Sequence, residues 1–150
     1  MTGWAKTIMI AVAVVVVCLL LVFGVLGGAA MMGYRAAMRA GYEAATIQNL
    51  KTIAAVEARY FISHHRAYAS LDQLISEQSL STKFAGHPTI ADGYVLNLSV
   101  ARRADGSSRY KITADPPTES EDVNHFYLDS DDDRIHVNSE RQAGPADPSN

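Results

Sequence analysis

Residues 8–26 constrain this chain more than any other feature, being nineteen consecutive positions with no charged or hydrogen-bonding side chain apart from the thiol of Cys18. At the helical rise such a run extends about 28 Å, close to the roughly 30 Å hydrocarbon core of a bilayer. Its valine content is no obstacle, because in hydrocarbon the backbone must satisfy its own hydrogen bonds and a helix does so within one segment. The sequence therefore predicts a transmembrane anchor over residues 1–33, with the lipid bilayer as its first partner. A secretory signal peptide cleaved after Ala30 is the alternative, but the apolar regions of such signals usually run only about 7–15 residues. Gly24 and Gly28 have the spacing that lets two membrane helices approach closely, which offers a route to self-association.

The rest of the 150 residues suffices for one domain. The first 34 residues hold a single charge, Lys6, so the near-neutral mean hydropathy averages an oily segment with an ordinary soluble one. Net charge is −3, which provides no basic field for nucleic acid, and no nucleic-acid partner is expected. Charge is also unevenly placed: residues 35–114 carry ten Lys/Arg against six Asp/Glu, and residues 115–150 carry two against ten. One cysteine allows neither an intrachain disulfide nor a cysteine metal site.

From Tyr34 to about His64 the chain is alanine-rich, free of proline and amphipathic. At 100° per residue Ile47, Leu50, Ile53, Ala54, Tyr60 and Phe61 share one side, and Gln48, Lys51, Thr52 and Arg59 take the other. Glu57 falls inside the apolar arc, either as a buried acid with a role or as a carboxylate reaching solvent at the helix edge. Ser70 reads as the cap of a second short helix. The period then changes from 3.6 to 2: Tyr94, Leu96, Leu98 and Val100 alternate with smaller or polar residues. Asp105-Gly106 turns the chain into a return strand at Tyr110, Ile112 and Ala114. Residues 125–129 and 134–137 read as two further strands around an acidic turn. Residues 139–150, with two prolines and no large apolar side chain, read as a disordered tail. The expected fold class is α+β, a long membrane-plus-soluble spine helix packed on a small antiparallel sheet, with the globular domain at residues 34–138.

That layout resembles a type IV pilin and, more closely, a major pseudopilin of type II secretion. The residues that carry the likeness are a membrane helix continuing through residues 43–60 and the segment with Tyr68, Leu71 and Leu74. A hairpin from Gly93-Tyr94 to Ala114 and the closing segments 125–129 and 134–137 complete it. The resemblance implies a single-pass protein of the inner membrane with its domain outside the cytoplasm, and other pilin-like subunits as partners. Counting loop charges alone leans toward a cytoplasmic domain. The chain departs from the family at its start: no basic leader precedes Gly3, the fifth position after a Gly3-Trp4 junction is Ile8 rather than Glu, and no acid occurs before Glu43. The expectation is a pilin-fold relative that stays in the membrane rather than forming a polymer. A membrane-tethered ligand-binding or sensory domain is the reading from another class.

No enzyme is expected, since the chain has neither a nucleophile elbow nor a glycine-rich phosphate loop. The one ligand pattern is Asp129-x-Asp131-x-Asp133 with Glu140 behind it. It partly follows a calcium loop, and the pseudopilin resemblance implies calcium near this end. Arg134 stands where such a loop needs Gly, so a solvated acidic turn is the competing reading. His64 and His65 are adjacent and point about 100° apart on a helix, while His125 and His136 fall on neighbouring expected strands and could face one another.

Overall fold

The computed structural model describes residues 3–118 and 123–149, and within the first helix it leaves aside the side chains of residues 3, 5–7, 10, 25–30 and 32. The chain divides into two compact units, Met1–Ala40 and Gly41–Asn150. The division falls at 40/41 rather than at the expected 33/34, because residues 33–42 are exposed and the first long-range side-chain bond belongs to Glu43, which accepts from Asn124 Nδ2 at 2.9 Å.

Helix α1 (Gly3–Ser63) begins in the first unit. Every side chain described there is exposed, including Trp4, Val14, Leu20 and Phe23. Among the described residues no helix is long and apolar enough to cross a membrane. The unbroken set of described side chains in the apolar run is residues 11–24, about 21 Å of helix against a core of roughly 30 Å. The Gly24–Gly28 pair and the cleavage point at Ala30 lie partly or wholly outside the described side chains.

The second unit is α+β. Five antiparallel strands run in the order β1-β2-β3-β4-β5. They are β1 (Thr89–Ala91), β2 (Tyr94–Arg102), β3 (Ser108–Asp115), β4 (His125–Asp129) and β5 (His136–Asn138). Alternation sends Leu96, Ile112, Ala114, Phe126 and Leu128 to one face, where they join Leu50 and Ile53 of α1 in a single buried cluster. Each large apolar side chain sealed in this way contributes about 1.5–3 kcal/mol. The expected phase of α1 holds at Leu50, Ile53 and Glu57, but the buried stripe also takes in Thr46 and Asn49. Asn49 is accommodated by a polar clip: its Nδ2 donates to Asp92 Oδ2 at 2.8 Å, and its Oδ1 accepts from Lys83 Nζ at 2.7 Å.

Helix α2 (Leu71–Ser76) carries the expected Ser70 cap as a complete capping box, with Gln73 returning the bond to the Ser70 N–H at 2.9 Å. A 3₁₀ turn, Thr82–Phe84, then drops Phe84 into the core. Strand β1 was not expected from the sequence. Its hairpin with β2 turns on Asp92 and Gly93, both at positive φ (50° and 80°), the conformation that Asp-Gly dipeptides supply at least strain. The last strand begins at His136, two residues beyond the expected Arg134, because Asp132 and Asp133 extend the turn that precedes it.

The expectation of a disordered tail at residues 139–150 is corrected over residues 139–149, residue 150 lying outside the described residues. Ala143 is buried, Val137 N donates to Pro148 O at 2.9 Å, and His136 pairs with Ser149. Asp147 organises the segment. Its carboxylate accepts from Asn138 Nδ2, Arg141 Nη2 and Gly144 N, bonds that replace the apolar contacts the segment lacks.

Candidate functional site

The acidic turn after β4 is built from carboxylates that cap their own backbone. Asp129 Oδ1 accepts the N–H of Asp131 at 2.8 Å and of Asp132 at 3.3 Å, and its Oδ2 accepts the Tyr127 hydroxyl at 2.8 Å. Asp131 pairs instead with the Arg103 guanidinium. Asp133 sits at φ 54° and faces the other way, onto a groove beside α1. The three expected calcium ligands therefore do not converge, and among the described residues no set of three His, Cys, Asp or Glu side chains could hold a metal ion. The calcium expectation gives way to a physical cause: the turn uses these oxygens as acceptors for local N–H and O–H donors.

The histidines do not gather either. Register sets His125 opposite Asn138 and His136 opposite Tyr127, so the two rings are offset rather than facing. His125 Nδ1 lies 2.7 Å from Asp115 Oδ1. His64 stacks on Tyr60 with ring centroids 3.7 Å apart, at the exposed end of α1.

The site with the most varied chemistry is a groove of about 620 Å³ between α1 and residues 130–135. Ala54, Ala55 and Ala58 make one wall, and their small side chains leave the space that larger residues would fill. Tyr68 and Tyr110 lie deeper, in an edge-to-face pair with centroids 4.8 Å apart. Lys51 on the helix side and Arg134 on the turn side flank the opening, and neither forms an ion pair among the described residues.

The chain matches no protein-family model, no curated protein and no solved structure.

Near the tyrosines lies Glu57, fully buried. Its Oε2 accepts the Ala69 N–H at 3.0 Å, while Oε1 is buried and has no hydrogen-bond partner among the described residues. Burial pushes the carboxyl up from 4.5 to about 7, with the Ala69 bond working in the opposite direction. The same burial holds the Tyr68 and Tyr110 hydroxyls above the usual phenol range, with the Glu57 charge adding to the rise at both. Of the two readings open for Glu57 in the sequence, the buried acid is the correct one. The groove was not visible in the sequence, since its walls come from segments up to about 90 positions apart; the alanines at 54, 55 and 58 were its one local signal.

Proposed function

We propose that this protein is a membrane-anchored, pilin-like structural or interaction module, a single-pass chain of the inner membrane with its domain displayed outside the cytoplasm. The observation that carries the reading is the first unit, where every described side chain from Ala11 to Gly24 is apolar or glycine and is left uncovered. A surface of that kind needs a nonaqueous environment, and lipid is the environment that suits a continuous apolar helix. The second support is the layout of the domain, a helix stripe buried against an antiparallel meander, which is the arrangement the pilin and pseudopilin resemblance calls for. Membership in a type II secretion or type IV pilus-like assembly follows from the same resemblance.

The groove favours one variant of this reading, a tethered domain that binds a ligand rather than a neighbour. Its lining sets the rings of Tyr68 and Tyr110 beside two cations, Lys51 and Arg134, and one acid, Asp133, groups that could orient a small polar molecule. Topology reporters separate the readings at the level of placement. A fusion at residue 150 should be active only for a reporter that works outside the cytoplasm, and the protein should stay with membranes through an alkaline wash. An active cytoplasm-only reporter at that position would reject the proposed placement.

A further inference from the structure

The ring of His136 is closed in from both sides, with a side chain only 7% exposed. Nδ1 lies 2.6 Å from the carbonyl oxygen of Asp147, and Nε2 lies 2.8 Å from Asp132 Oδ2. A carbonyl oxygen only accepts. The Asp132 carboxylate is itself held below the usual carboxylate range, by the Arg134 N–H first and by His136 next, so it too accepts. Both ring nitrogens must then donate, and only the imidazolium carries two N–H groups.

Those two bonds join the acidic turn to the segment that covers the sheet's last strand. On the other side of His136, Val137 N donates to Pro148 O, and His136 bridges Ser149. β5 is an outermost strand of the sheet, so residues 147–149 occupy backbone positions that would otherwise be unpaired. We propose that residues 143–149 form a proton-gated cover over the β5 edge, seated by the imidazolium of His136.

The charged and titratable groups around the ring fit this assignment. Asp129 and Tyr127 face it from β4, with the Tyr127 ring 6.0 Å away. The turn contributes Asp132, with Arg134 next to it, and the covering segment contributes Asp147, whose charge is answered by Arg141. The Asp147 carbonyl, followed by the two acids, holds the imidazole above its ordinary 6.5 against the opposing effect of burial. The sign follows directly: a raised folded value gives stability that is fully present below the unfolded value and is lost as pH rises through the folded one. On deprotonation one nitrogen turns its lone pair toward an oxygen lone pair at under 3 Å, and the cover loses a bond. The freed edge is then a template for an added strand.

The test uses the full chain in detergent micelles. Nitrogen-15 NMR reads the protonation of both ring nitrogens of His136, while amide exchange at Val137 is compared with the core amide of Ile112. At about pH 5.5 both nitrogens should be protonated and Val137 protected; by about pH 8.5 the ring should be neutral and Val137 protection reduced about tenfold relative to Ile112, after correction for intrinsic exchange. In His136→Gln the Val137 protection should lose its pH dependence. Should that variant fold poorly, the unmodified chain still decides. A neutral ring at the acidic end, or a ring that titrates while Val137 protection stays constant, would overturn the proposal.

Discussion

Glu57 Oε2 accepts the backbone N–H of Ala69 at 3.0 Å, and both residues are fully buried. The bond fastens the connector after α1 against the helix, across the left-handed pair His65 and Arg66 that ends it. It also leaves the second carboxylate oxygen without a partner among the described residues, an arrangement that a neutral acid tolerates far better than an ion does.

Stability should consequently fall with rising pH across this group's window. The folded value, about 7, lies above the ordinary 4.5, so the contribution is complete below pH 4.5 and is lost as pH rises to about 7. The difference corresponds to roughly 3 kcal/mol, at about 1.4 kcal/mol for each pKa unit. Glu57→Gln keeps an oxygen for Ala69 and removes the ionisation. Denaturant unfolding of the full chain in micelles should show the variant close to the parent near pH 4.5 and more stable than it near pH 8. Parallel pH profiles for the two proteins would contradict the burial account of Glu57.

Ile53 and Lys51 separate the buried side of α1 from its groove side. Ile53 is fully sealed in the core and Lys51 is exposed. Ile53→Ala should destabilise by about 2–5 kcal/mol through lost transfer energy and the cavity left behind. Lys51→Ala should stay within about 0.5 kcal/mol. Thermal melts of both variants check this, and equal losses would mean that the helix stripe is wrongly phased.

Calcium should leave the domain unmoved. A site filled to 100 times its Kd would add about 2.7 kcal/mol, easily seen as a shift in Tm. Because Asp129 caps the turn, Asp131 pairs with Arg103 and Asp133 faces the groove, millimolar calcium should give no such shift. A calcium-selective rise in Tm that Asp131→Asn abolishes would contradict this description of the turn.

Much of the fold was legible because its signals are local. The Ser70 cap, the Asp105-Gly106 turn and the period-2 run from Tyr94 each depend on residues a few positions apart, and each element forms where the pattern indicates. Strand β1 was missed although Asp92-Gly93 advertises its hairpin, since three residues beside Pro88 give too short an alternation to register. The covering segment was missed for another reason. It has no apolar periodicity, and what holds it is the carboxylate of Asp147 together with the ring of His136, contacts that exist only after β5 is in place. Glu57 could be located on the apolar arc from sequence, but its burial depended on Ala69 arriving from beyond the helix end.

N-terminal sequencing of the protein recovered from washed membranes tests the central claim most directly. Membrane anchoring predicts that the detergent-extracted chain begins upstream of Ile8 and retains the whole apolar run. A soluble product beginning at Met31 would contradict it, because the surface left bare in the first unit would then be a discarded signal rather than an anchor.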